Sequence, residues 1–147
     1  MRFFEPDDGD LELISAARAA LSRAQSRAVG EDAQDGAYRG GYHTVGGAVR
    51  GASGRIYTGV NCDGIHGACA EYVAVGAAIS EGEGELLTIV AVNDHAPNGI
   101  CAPCGNCRQM LIEYCPNILV ILNDENGRMV KTSARDLLPL AWMPSDA

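Results

Sequence analysis

The chain has 147 residues, a formal charge of -8 and a pI of about 4.7. A surface this acidic repels polyphosphate and argues against nucleic acid as a partner, and no apolar run is long enough to span a bilayer. With 47% apolar but only 5% aromatic residues, the chain can bury one core yet lacks an aromatic platform for stacked bases.

Residues 1–10 are acidic and read as a flexible N-terminus, leaving 11–147 as one domain. They lack the apolar stretch of a secretory signal, so a cytoplasmic location is expected. Leu11 to about Val29 is rich in Ala, Leu and Arg without Gly or Pro, which predicts an amphipathic helix. Gly30–Tyr42 is a polar, Gly-rich loop. Val45–Arg50 and Arg55–Val60 flank Gly51-Ala52-Ser53-Gly54 and predict a hairpin. After the loop Asn61–Ala68, Cys69 to Ser80 is apolar almost all round, as in a buried helix. Leu86–Val92 is a continuous apolar run that fits a central strand covered on both faces. Asn93–Ala102 is a loop; Pro103 then suits the first turn of a helix running to about Cys115. Ile118–Leu122 and Arg128–Thr132 are the last predicted strands, and Ala134–Leu138 a final helical turn.

This order, α-β-β-α-β-α-β-β, reads as a three-layer α/β fold on a five-stranded mixed sheet. Only five residues join Leu122 to Arg128, too few for a parallel crossover, so the last strand is expected to run antiparallel to its neighbour.

Six cysteines occur, at 62, 69, 101, 104, 107 and 115. A chain with its own core and no export signal does not need a disulfide framework, so clustered thiols read as metal ligands. Cys69-Ala70-Glu71 and Pro103-Cys104-Gly105-Asn106-Cys107-Arg108-Gln109 each follow a loop and open a predicted helix. Cys104 and Cys107 share a helical face. Helix starts favour thiolate, the form that binds metal. Three sulfur ligands leave the fourth tetrahedral position of Zn²⁺ for water, the pattern of a catalytic site. Glu71, two residues after a ligand, is placed to move protons between that water and a substrate. Cys104 and Cys107 alone also allow a redox pair, and a closed structural zinc site with His66 or Cys101 as fourth ligand is a further alternative. Neither accounts for Cys-Ala-Glu at a second helix start, nor for a carboxylate on an apolar helix.

A Cys-or-His, Ala, Glu triplet followed by Pro-Cys-x-x-Cys resembles the zinc-dependent cytidine deaminase superfamily, whose signature is a general example of zinc deaminase chemistry. Gly54–Asn61, Cys101–Gln109 and Leu137-Leu138-Pro139 are similar to segments of its small homotetrameric members. The resemblance implies hydrolytic deamination of a free cytosine nucleoside (cytidine or deoxycytidine), with one zinc per chain on Cys69, Cys104 and Cys107. It further implies that the Ala70 N–H binds the pyrimidine 2-oxo group and the Ala102 carbonyl faces the leaving amino group. Asn61 would bind a ribose hydroxyl. His43 sits where relatives carry an aromatic residue and is a candidate to line the pyrimidine pocket. Trp142 sits where relatives carry an aromatic that reaches a neighbouring subunit's site, and a homotetramer is expected.

Three departures stand out. Asp63 replaces the family's Glu two residues after the Asn and is the candidate to bind sugar in its place. The Asn61–Cys69 loop is shorter than in typical cytidine deaminases and closer to that of blasticidin S deaminases, making a blasticidin S-type analogue the alternative substrate. Tyr72 stands where such cytidine deaminases carry an Arg. Three thiolates and Zn²⁺ sum to one negative charge, so Arg108, beside Cys107, is expected to compensate the centre. Outside the enzyme class, a non-catalytic zinc module is the alternative.

Overall fold

The computed structural model describes residues 1–26 and 43–146; the expected Gly30–Tyr42 loop lies outside them. Among these residues three α-helices, α1 (Asp8–Ser26), α2 (Ala70–Ser80) and α3 (Gly105–Tyr114), sandwich a sheet of β1 (Gly46–Gly51), β2 (Ile56–Val60), β3 (Leu86–Val92), β4 (Ile100–Cys101), β5 (Leu119–Asn123) and β6 (Met129–Ser133). The main path is β2-β1-β3-β5-β6. Its five strands match the expected number; the two-residue β4 pairs antiparallel with β3 inside what the sequence reads as a loop. β3 and β5 are parallel, with α3 in their crossover, and β6 returns antiparallel to β5 as loop length requires.

Alternate side chains divide between the layers. Ala48, Val90 and Val92 pack with Leu13, Ile14 and Ala17 of α1. Val49, Tyr57 and Ile89 pack with Ala74, Val75 and Ala78 of α2 and with Met110 and Leu111 of α3. Two glycines of β1 set how near the helices come. A Cβ on Gly46 would lie 2.3 Å from the Ala17 carbonyl oxygen, and one on Gly47 would lie 3.0 Å from that of Ala70. Gly47 thus seats the start of α2 directly on the sheet.

The N-terminus differs from its reading as a flexible segment. Phe4 pairs with Lys131 through two backbone hydrogen bonds of 2.8 and 2.9 Å, and the Thr132 hydroxyl donates to the Arg2 carbonyl at 2.7 Å. α1 begins at Asp8, ahead of the expected Leu11. Asp7 and Asp10 explain this by capping each other reciprocally: Asp10 N–H donates to Asp7 Oδ1 at 3.0 Å and Asp7 N–H to Asp10 Oδ2 at 2.8 Å. The Lys131 ammonium, buried like Asp10, lies 2.8 Å from Asp10 Oδ2.

α3 starts two residues later than expected, at Gly105. Cys104 is its N-cap in extended conformation, and its Sγ accepts the Cys107 N–H, so Pro103 falls outside the helix. Cys69 holds the same N-cap position on α2. Among the described residues, no helix is long and apolar enough to cross a membrane.

Candidate active site

The starts of α2 and α3 meet on the sheet face that carries Gly47. There the sulfur atoms of Cys69, Cys104 and Cys107 all lie within 4.8 Å of one another, with Cys69 and Cys104 3.7 Å apart. Tetrahedral zinc with bonds of about 2.3 Å to sulfur needs sulfur atoms about 3.8 Å apart. The donor set and its spacing therefore fit zinc. Neither His66 nor Cys101 belongs to the cluster, so among the described residues no fourth protein ligand closes it.

Helix starts alone do not set the acidity of these thiols. Burial pushes Cys69 up, and burial together with the Glu71 carboxylate pushes Cys107 up. Burial also acts against Cys104, but hydrogen bonds led by the Cys107 N–H outweigh it and bring that thiol below the usual range. Cys104 is thus the thiol of the three that its surroundings favour as thiolate, and a zinc ion, when bound, would favour the same form in the other two.

Glu71 lies in the first turn of α2 and is only 5% exposed. Burial raises its carboxyl pKa; its own backbone N–H and the Cys107 thiol offset part of the rise. A carboxyl that holds its proton more readily than a solvated one suits proton transfer near neutrality.

Cys69, Cys104 and Glu71 border a cavity of about 180 Å³ whose walls also include Ala70, Ala102, Asn61 and Asn93. Asn61 is fixed by the Thr44 and Val45 N–H groups, which donate to its Oδ1 at 2.8 and 3.0 Å. His43 and Asp63 stand behind it: His43 Nδ1 is 2.7 Å from the Asn61 carbonyl, and Asp63 Oδ1 is 3.4 Å from Asn61 Nδ2. Neither is part of the cavity wall. Trp142 lies outside the cavity and is 54% exposed, its carbonyl accepting from Gln109 Nε2 at 2.9 Å. Arg108 turns to Pro103 and Leu137, donating to their carbonyls at 2.8 and 3.1 Å. It straps the second motif to the C-terminal turn.

Two cavity residues, Val45 and Asn93, were not expected at the site, and Cys101, weighed above only as a fourth ligand, lines the cavity wall instead. Asn93 follows directly on an apolar strand, and that polar stop is the one signal available for it. The loop after it is tied down by Arg18, which donates to the Asn98 carbonyl at 2.7 Å, and by Asn123, which donates to Pro97 at 2.8 Å.

Residues 16–123 match the family model described as the cytidine and deoxycytidylate deaminase zinc-binding region. The chain is 32% identical to blasticidin-S deaminase from Bacillus cereus, over 97% of this chain and 98% of that one. It is 37% identical to cytidine deaminase from Mycobacterium tuberculosis, over 67% of this chain and 71% of the other. Among solved structures, cytidine deaminase from Burkholderia pseudomallei superposes with a TM-score of 0.65 at 32% identity, covering 90% of this chain and 98% of that one. A point variant of the Mycobacterium tuberculosis enzyme gives 0.69 at 30% identity, covering 97% and 100%.

Proposed function

We propose, because this chain belongs to the cytidine and deoxycytidylate deaminase family, that it removes the 4-amino group of a free cytosine nucleoside, cytidine or deoxycytidine. The observation that carries this is the buried Glu71, its carboxyl pKa raised by burial, beside a three-sulfur cluster. Cys69, Cys104 and Cys107 would hold the zinc, which supplies Lewis acidity toward water. Glu71 takes one proton of the attacking water and delivers it to ring N3 as the oxygen bonds to C4. It then carries the remaining hydroxyl proton to the amino nitrogen. The C4–N bond breaks, ammonia leaves, and C4 keeps the oxygen as a carbonyl. The Ala70 N–H orients the ring through its 2-oxo group, and the Ala102 carbonyl receives the departing amine.

Asn61 and Asp63 are proposed sugar contacts, with His43 supporting Asn61 from behind. Arg108 is proposed to serve the zinc centre by holding the Pro103 carbonyl, and through it the second motif. A cavity of about 180 Å³ is smaller than common ligand sites, which supports completion by a neighbouring subunit in a homotetramer. The exposed Tyr72 and Ile79 on α2, and Trp142, are surfaces suited to that assembly. A cytoplasmic setting would keep the ligand thiols reduced.

The end-to-end match to blasticidin-S deaminase favours a second reading, a blasticidin S-type analogue. Ultraviolet assays of cytidine, deoxycytidine and blasticidin S side by side decide between them. Turnover confined to blasticidin S would replace the first reading with the second.

A further inference from the structure

The site-side face of the sheet ends in a row of three residues. Gly46 pairs with Val60 on one side and with Val92 on the other. One step further, Val45 lies between Asn61 and Asn93, and the Asn61 N–H donates to the Val45 carbonyl at 3.2 Å. All three have the same parity as Val49, Tyr57 and Ile89, which face α2. They lie two residues, about 7 Å, beyond the Gly47 position that seats the catalytic helix, and all three border the cavity.

The two asparagines are built alike. Asn61 Oδ1 accepts from the Thr44 and Val45 N–H groups. Asn93 Oδ1 accepts from the His95 and Ala96 N–H groups at 3.0 and 2.6 Å. With its oxygen turned into the loop, the Asn93 carboxamide has one orientation left, and its Nδ2 has no hydrogen-bond partner among the described residues. The loop bearing those N–H groups is itself held by Arg18 and Asn123. A fixed, half-buried amide donor on a cavity wall is an arrangement for binding an acceptor.

From this geometry we infer that Asn93 is a substrate-binding residue, donating through Nδ2 to an oxygen of the sugar on N1 of cytosine, opposite Asn61. Two strand spacings, about 10 Å, separate the asparagine Cα positions, enough to flank a sugar ring. N1 lies across the pyrimidine ring from C4, so a ring with C4 at Glu71 extends its sugar away from that carboxylate, and the row borders the same cavity on the far side of the Gly47 seat from the body of α2. The inference rests on the nucleoside reading above.

Steady-state kinetics of the zinc-loaded full chain on cytidine test it, with Asn93→Ser and Asn93→Asp beside wild type. Both variants keep an oxygen to accept the loop N–H groups; Ser loses reach, and Asp keeps size but loses the donors. The expected result in both is a KM raised about fivefold to tenfold, with kcat and zinc content near wild type. An unchanged KM in either variant, or a fall in kcat at constant KM, assigns Asn93 to loop capping alone and overturns the inference. If wild type acts on blasticidin S instead, the same comparison is made with that substrate. A wild type inactive on both compounds refutes the nucleoside reading itself, an outcome distinct from any behaviour of the Asn93 variants.

Discussion

The sulfur atoms of Cys69 and Cys104 stand 3.7 Å apart, each at the N-cap of a different helix. Two helix starts, set side by side on one sheet face, bring two thiols to a spacing that suits one edge of a zinc tetrahedron, which neither segment offers alone. Alanine at any one of Cys69, Cys104 or Cys107 is expected to remove bound zinc. Metal analysis of the three purified variants checks this, and full zinc in any of them sinks that ligand.

Glu71→Gln preserves shape and removes the proposed proton carrier. Turnover is expected to fall by about 10²–10⁴-fold or more, with zinc retained. Since burial in the apolar helix already opposes a charge here, the variant should fold at least as well as wild type. Turnover near normal would assign the proton steps elsewhere.

Arg108 holds the carbonyls of Pro103 and Leu137. Arg108→Ala leaves both without their charged donor, each such bond contributing about 1.5–3 kcal/mol. A lower melting temperature and weaker zinc binding are expected together, because Pro103 precedes the proposed ligand Cys104. Competition with a zinc chelator and a thermal melt measure the two effects. A variant unaltered in both would leave Arg108 as a surface residue.

Trp142→Ala is expected to raise KM about tenfold without loss of zinc, because stacking on a base is worth about 1–3 kcal/mol. Light scattering at assay concentration accompanies the kinetics. A fully active monomer would show that each chain completes its own site.

Lys131 ties the N-terminal segment to β6. Burial pushes its ammonium down, but the Asp10 and Asp7 carboxylates outweigh burial and hold it above the usual lysine range. A raised pKa contributes stability that is fully present below the unfolded value of 10.5 and is lost as pH rises through the folded value. Lys131→Met leaves Asp10 buried without its cation and should cost about 3–5 kcal/mol. Denaturant melts at neutral and strongly alkaline pH test both statements. A wild-type protein equally stable at the two pH values would remove the linkage.

Local chemistry made much of this protein legible from its residues. The apolar run Leu86–Val92 has one stable place, a strand covered on both faces. Five residues between Leu122 and Arg128 permit only an antiparallel return. Cysteines at two loop-to-helix junctions announced in their spacing a cluster that could hold zinc, and the structure brings the three sulfur atoms together. What the tertiary structure alone decided depends on partners distant in the chain. Residues 1–10 look like a solvated acidic tail until Lys131, more than 120 positions away, supplies a buried cation and a strand partner. Ile100–Cys101 is too short to be a strand except against β3. Asn93 looks like an ordinary loop start; two backbone N–H groups turn its oxygen away and leave its amide at the cavity. Such roles come from strand register and hydrogen-bond direction, which no local pattern of residue types encodes.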